Sequence, residues 1–427
     1  MTGRRSETVA PVRAAVRPPG GERRRRGVTT RGASRQTHEA DPGRVTGPTG
    51  PVGGADGVRV EGVRVHAFSV PTDGPDGAEE DGTLRWEATT AIVVEVQGGG
   101  RTGVGYTYGD VSTAGFVASQ LAPLVTGGDA LAPAALWHRM RAAVRNAGRP
   151  GVGAMALSAV DIALWDLKAR LLGLPLHRLL PAVHDQVPVY GSGGFTNYAH
   201  GLLADQLAGW VEQGIPRVKI KTSRRPGQDA ARLSAAREAI GPDTELFADA
   251  NGALSRKEAL YWARRMAGEW DVRWLEEPVS SDDTAGLRLL RDQGPGRLEI
   301  AAGEYGFVLG DFAALLQAGA VDCLQADVTR CGGITGLLQV AGLAAAHRVD
   351  LSAHCAPAAS AHAFCAVERL RHLEYFHDHV RVEELLFDGV LRPVGGALRP
   401  AHDRPGLGIR VRWADAEPYR VHGHRPG

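Results

Sequence analysis

The residues best suited to chemistry are titratable side chains that close short apolar runs. They are Lys219 and Lys221 in RVKIK, Asp249 in ELFADA, Glu276 and Glu277 in RWLEEP, Glu304 in EIAAGE, Asp327 in CLQADV, His354 in DLSAHC and Glu374 in HLEYF. A charge at such a place is costly to bury unless it serves a site. Gathered at one point, Asp249, Glu276 and Glu304 would raise one another's pKa and destabilise the fold unless a cation sat between them. An oxygen-only donor set without Cys or His suits Mg²⁺, with Mn²⁺ as the substitute. Lys219 and Lys221, two apart, point to the same face of a strand. Beside a divalent ion their pKa is expected to fall, which makes one amine a base near neutral pH. The chain has only four lysines against 45 arginines, so a lysine pair here argues for a titratable amine rather than for charge alone. Asp327 would orient His354 and support its charged form, giving a second base across the metal. This arrangement suits removal of a proton next to a carboxylate, with the metal and a lysine stabilising the enediolate. A protonated Glu374 would donate a hydrogen bond to the same carboxylate.

These side chains need a scaffold that brings strand ends together. From residue 187 the sequence predicts strands at 187–192, 217–221, 245–250, 273–278, 299–304, 323–328, 350–355 and 372–376, with helices such as 228–239 and 256–267 between them. Alternating β and α with short connections means a parallel sheet with right-handed crossovers. Seven or eight units in this length predict a (β/α) barrel, whose active site lies at the C-terminal mouth. Upstream, alternating patterns at 58–70, 89–97 and 103–109 predict three antiparallel strands with a polar loop at 71–85, followed by helices at 114–125, 133–146 and 153–172. Four parts are expected: a disordered basic tail (1–57), an α+β capping domain (58–186), the barrel (187–380) and a C-terminal segment (381–427) that packs back on the cap and carries a strand-like piece at 407–413.

Length and composition agree with this and exclude other classes. The chain has 427 residues, enough for a large barrel with an accessory domain. A net charge of +1 lacks the basic field of a nucleic-acid or anionic-membrane binder. Up to position 45 there are 11 Arg against four acidic residues, too polar a segment to offset the entropy of ordering it. That tail lacks the apolar stretch of an export signal and the interleaved aromatics of a nucleic-acid platform, and no run of about 18 apolar residues occurs. A cytoplasmic protein is expected. Cys323, Cys331, Cys355 and Cys365 form no C-x-x-C pair, so reduced thiols are expected.

At these residues the chain resembles the enolase superfamily, and within it the mandelate-racemase group of the mandelate racemase/muconate lactonizing enzyme family. The marks are ALSAVDIALWDLKARLLGLPL (156–176), VKIK (218–221), DAN (249–251), WLEEP (274–278), GE (303–304), ADVTRCGGITG (326–336), SAH (352–354) and LEYF (373–376). The resemblance covers about 58–420 and implies a modified (β/α)₇β barrel under a capping domain. It implies Asp249, Glu276 and Glu304 as Mg²⁺ ligands, Lys221 as one base, and Asp327 with His354 as the other. Lys219 and Glu374 would assist the enolate, and homo-oligomers are common in the family. The muconate-lactonizing group would place a lysine where this chain has Asp327, and enolase proper lacks the His–Asp dyad.

The substrate is expected to be a small carboxylate, selected by the 71–85 loop and the Tyr106-Thr107-Tyr108 region. The acids of that loop (Asp73, Asp76, Glu79, Glu80, Asp81), with Arg85, would suit a polyhydroxylated acid. Asn251, Arg330 and Tyr108 are candidate substrate contacts, with Arg330 alternatively tuning Asp327 or capping a turn. His377, Asp378, His379 and Arg381 would either bind substrate or form a local salt bridge. The expected reaction is dehydration of an aldonate or aldarate to a 2-keto-3-deoxy acid, with racemisation or epimerisation of a 2-hydroxy acid as the close second. A Schiff-base aldolase is disfavoured by the three carboxylates, and an inactive metal-binding scaffold by the complete set of bases and ligands.

Overall fold

The computed structural model describes residues 57–421. The expectation of a disordered basic tail falls almost wholly outside them. Three antiparallel strands open the described chain: β1 (Gly62–Pro71), β2 (Ala88–Gly98) and β3 (Arg101–Tyr108). The first begins later than the alternation predicted, because Val60 pairs with the 127–128 turn instead of with β2. Helices α1 (Pro133–Ala143) and α2 (Val152–Leu171) back the sheet. The helix predicted over 114–125 is interrupted by a π-turn at Val117–Leu121 just before Pro123, which has no N–H to donate to an α-helical ladder. Strand β3 lies hard against α2. A Cβ at Gly103 or Gly105 would sit 2.2 Å from the carbonyl oxygen of Ala163 or Ala159, so only glycine permits the approach.

Eight parallel strands then close on themselves: β4 (Val187–Gly193), β5 (Arg217–Lys221), β6 (Glu245–Asp249), β7 (Val272–Glu276), β8 (Glu299–Ala302), β9 (Cys323–Ala326), β10 (Asp350–Ala353) and β11 (Leu370–Phe376), with β11 pairing back to β4. Intervening helices include α3 (His200–Glu212), α4 (Pro226–Ile240), α5 (Arg256–Glu269), α6 (Thr284–Gln293), α7 (Leu309–Ala318), α8 (Gly333–His347) and α9 (Pro357–Phe364), and α10 (His377–Leu386) follows β11. The barrel and antiparallel cap are those the sequence predicts. A short strand, β12 (Ala397–Leu398), pairs antiparallel with β4. Only Arg410–Val411 of the 407–413 piece pairs, with Phe387–Asp388, whereas β13 (Arg420–Val421) joins β1 in the cap sheet.

The barrel interior follows a period-two rule. Tyr190, Phe247, Trp274 and His372 fill it with a buried aromatic layer, ring centroids 4.7 to 6.5 Å apart. Two residues further along the same four strands come Ser192, Asp249, Glu276 and Glu374. Because alternate side chains share a face, an apolar floor is followed one step up by a polar layer at the strands' C-terminal ends. All four cysteines are free and buried, and among the described residues no helix is long and apolar enough to cross a membrane.

Candidate active site

Register places the polar layer side by side: Lys221 is level with Asp249, and Asp249 with Glu276. Lys221 Nζ donates to Asp249 Oδ2 at 2.6 Å. Lys219 Nζ lies 2.6 Å from Glu276 Oε1, 2.8 Å from Glu374 Oε1 and 3.4 Å from Asp249 Oδ2, above the Tyr190 ring. Trp274 Nε1 donates to the other Glu276 oxygen and Ser192 Oγ to Glu374. Asp249, Glu276 and Glu304 each offer an oxygen, all within 4.8 Å of one another.

Strands β9 and β10 end earlier than predicted, so Asp327 and His354 sit on the turns just beyond them. His354 Nδ1 is 2.7 Å from Asp327 Oδ2, and its Nε2 faces Glu304 Oε2 at 3.2 Å. Thr329 fixes the carboxylate by donating N–H and Oγ1 to Asp327 Oδ1 at 2.7 and 2.6 Å. Thus Lys221 stands at the Asp249 end of the carboxylate trio and His354 at the Glu304 end. Left-handed residues follow several of these groups by one or two positions: Ser223 (φ 75°), Asn251 (46°), Glu277 (39°), Cys355 (51°) and Ala356 (48°). Non-glycine residues in this region cost about 1–3 kcal/mol each and cluster where a side chain must be aimed.

Charge balance tests whether a cation fits. Six buried carboxylates (Asp249, Glu276, Glu277, Glu304, Asp327, Glu374) meet four cationic groups (Lys219, Lys221, Arg330, His354). With all six ionised two negative charges would be left over, the complement of one divalent cation, and the oxygen donors suit Mg²⁺ or Mn²⁺. Without a cation, burial pushes Glu276 up to about 8 and Glu277 well above the carboxylate range, with neighbouring carboxylates adding to both.

The fall in lysine pKa is expected beside a divalent cation; without one the balance has the opposite sign. Burial would pull Lys221 down, but Asp249 outweighs it and holds the ammonium above its usual range, and Glu276 and Glu374 do the same for Lys219. A depressed amine requires the carboxylate charge to be offset. Glu374 is held ionised rather than protonated in the cation-free site. Burial would raise its pKa, yet Lys219, His354 and Lys221 hold it below the usual range. His354 is kept protonated well above its ordinary range, since Cys355, Glu304, Glu374 and Asp327 outweigh its burial.

The candidate substrate contacts divide. Asn251 donates its N–H to Asp249 Oδ1 at 2.8 Å, accepts from Gly82 N at 3.4 Å, and lines an open cavity of about 600 Å³ with Thr83, Glu277, Ser280 and Tyr305. Arg330 lies beside Asp327 (Nε to Oδ2, 3.5 Å) and donates to the Glu304 carbonyl at 3.2 Å, as the tuning alternative expected. Tyr108 is a correction. It is buried, its hydroxyl points to Glu383 at 3.4 Å, and its ring stacks on His379 at 3.5 Å, so it presents no free hydroxyl to a substrate.

The loop acids also serve another purpose than expected. Asp73 pairs with His377 at 2.9 Å, Glu80 with Arg225 at 2.6 Å, and Asp81 closes its own turn onto Thr83 N and Leu84 N. Asp378 accepts from Trp86 Nε1 and Thr89 Oγ1, so the polar run after β11 clamps the loop to the barrel. Glu79 is fully buried with neither oxygen hydrogen-bonded, and burial, with Asp378 and Asp73 nearby, pushes it up to about 10. An acid whose folded pKa is raised contributes stability that is complete below about pH 4.5 and lost as pH rises through about 10. Glu79→Gln, neutral throughout, is therefore expected to flatten the fall in thermal stability between pH 7 and 10. Parallel profiles for the two proteins would show that Glu79 does not ionise there.

Comparison with known proteins places this geometry. Residues 202–416 match the enolase C-terminal domain-like family, and 83–181 match the mandelate racemase/muconate lactonizing enzyme N-terminal domain. A crystal structure of a mandelate racemase/muconate lactonizing enzyme-like protein from Rubrobacter xylanophilus is 62% identical, with a TM-score of 0.83 over 85% of this chain and 100% of that one. The 3,6-anhydro-alpha-L-galactonate cycloisomerase of Streptomyces coelicolor is 32% identical over 82% of this chain and 96% of its own length. L-Talarate/galactarate dehydratase from Salmonella typhimurium LT2, solved with Mg and L-lyxarohydroxamate, is 28% identical with a TM-score of 0.78, covering 87% of this chain and 96% of that one. With both domain matches, the eight-stranded barrel and these relatives in agreement, the chain belongs to the mandelate racemase/muconate lactonizing enzyme family of the enolase superfamily, and is an enzyme of that superfamily.

Proposed function

We propose that the protein dehydrates a sugar acid, an aldonate or aldarate, to a 2-keto-3-deoxy acid. The observation that carries this reading is the row Lys221, Asp249, Glu276, Glu304, His354, Asp327, in which a proton-transfer group stands at each end of a carboxylate trio. Asp249, Glu276 and Glu304 would hold Mg²⁺. When bound, it would supply positive charge for the substrate's carboxylate oxygens and offset the Asp249 field that keeps Lys221 protonated. Lys219 lies among the same carboxylates, where its ammonium adds to the stabilisation of the enediolate, and Glu374 anchors that ammonium. One end group takes the α-proton and the other gives a proton to the departing β-hydroxyl, which leaves as water; the enol then becomes the keto acid. Stereochemistry decides which of Lys221 and His354 takes each role.

The Salmonella relative named L-talarate/galactarate dehydratase supports a sugar-acid substrate. Epimerisation of a 2-hydroxy acid would use the same two end groups without loss of water. The two reactions separate in one assay, in which purified protein and Mg²⁺ meet a panel of aldonates, aldarates and 2-hydroxy acids. Keto acid formed in step with substrate loss is expected. Epimer without keto acid would replace dehydration by the racemase reading.

A further inference from the structure

Three successive residues at the end of the cap's β3 reach the two barrel turns that carry the His354–Asp327 dyad. Thr107 Oγ1 donates to the Thr329 carbonyl at 2.7 Å, and Thr329 is the residue whose N–H and hydroxyl grip Asp327 Oδ1. On either side of Thr107, Tyr106 and Tyr108 turn toward the segment after His354. Tyr106 Oη donates to Glu383 Oε1 at 2.5 Å and accepts from Ala359 N at 3.1 Å, while Glu383 Oε2 accepts from Ala358 N at 2.9 Å. Tyr108 stacks on His379, whose Nδ1 accepts from Ala356 N at 3.3 Å. Every one of these side chains is buried. The segment they hold contains two consecutive left-handed residues, Cys355 and Ala356, a conformation that persists only where its surroundings over-determine it.

From this geometry we infer that Tyr106, Thr107 and Glu383 are positioning residues for the dyad: the cap strand sets the Asp327 carboxylate through Thr329, and sets the His354 ring through the Glu383-bound turn. The inference rests on the reading of His354 as one of two proton-transfer groups. It assigns the 106–108 region a different task from substrate selection. It also makes the effect one-sided. Among the described residues, no hydrogen bond runs from Tyr106, Thr107 or Tyr108 to the Lys221–Ser223 turn.

The test uses Thr107→Val, Tyr106→Phe and Glu383→Gln, with Thr107→Ser as the conservative variant that keeps the hydroxyl. The first readout needs no substrate. The Nδ1 proton shared between His354 and Asp327 is expected to give a downfield proton resonance, assigned by its absence in His354→Asn. Thr107→Val and Glu383→Gln are expected to shift or broaden it, and Thr107→Ser to restore it. An unchanged resonance in both variants would overturn the inference whatever the substrate proves to be. The second readout is α-proton exchange in D₂O, measured for Thr107→Val in two backgrounds. In Lys221→Ala, where only the His354 side remains, a loss of about 10- to 100-fold is expected, the scale of a small misplacement of a reacting group. In His354→Asn, where only Lys221 remains, exchange is expected to stay within about twofold, far below that scale. Equal losses in both backgrounds would mark a merely structural role and contradict the proposal. If the wild type exchanges no acid, the proposed function fails by itself, and the resonance still decides the positioning role.

Discussion

Lys221→Ala is expected to lower α-proton exchange from its own face of the substrate by on the order of 10³-fold, within the range for loss of a positioned acid–base group. The ammonium is buried and donates to Asp249, so alanine takes a positive charge away from that carboxylate, and cation affinity is expected to hold or rise. A loss of affinity would be the wrong sign, because the substitution removes a positive charge beside the cation site. Exchange from the opposite face, through His354, is expected to survive. His354→Asn should give the mirror result, losing its face while Lys221 works on. Exchange followed by NMR for each epimer checks this, and a fall of less than about tenfold in Lys221→Ala would remove Lys221 from the base role.

The second large effect concerns the cation. Glu276 and Glu277 are pushed up without it, so at neutral pH the cation-free site holds protons that the loaded site would release. The cation-bound form therefore binds fewer protons, and raising the pH favours it. Mg²⁺ or Mn²⁺ binding is expected to tighten as pH rises toward about 8, by up to about tenfold per pH unit for each proton released. Calorimetric titration in buffers of different ionisation enthalpy counts those protons. Changes in the shell outside a metal's ligands cost about 10- to 100-fold, so Glu276→Gln, which removes a direct oxygen donor, is expected to cost on the order of 10²-fold or more in affinity. Affinity independent of pH, or retained in Glu276→Gln, would mean that the cation sits elsewhere.

Much of the barrel and the row of polar strand ends is legible in the sequence, because a parallel barrel needs apolar strands and a charge closing one stands out against them. The pattern is richer than the endings alone. Tyr190-x-Ser192, Phe247-x-Asp249, Trp274-x-Glu276 and His372-x-Glu374 repeat an aromatic floor residue followed by a polar one, a signal present in the chain before any coordinates. What could not be read is what each charge faces. Asp73, Glu80 and Asp81 resemble a substrate-binding loop in composition, yet their partners His377, Arg225 and the loop's own backbone lie up to hundreds of residues away or in a turn no periodicity marks. Tyr108 misled for the same reason, since its stacking on His379 depends on how the cap seats on the barrel. The sign of the lysine shift is not legible either, because it depends on whether the carboxylate charge beside it is offset.

In the proposed reaction two proton-transfer groups flank one cation site and act on the carbon next to a carboxylate. The most direct measurement is exchange of that α-proton in D₂O, followed by NMR over a panel of sugar acids and 2-hydroxy acids with Mg²⁺ present. Exchange of at least one acid is expected, abolished by EDTA and restored by added Mg²⁺. Exchange that persists in EDTA, or its absence with every acid of the panel despite saturating Mg²⁺, would contradict the claim.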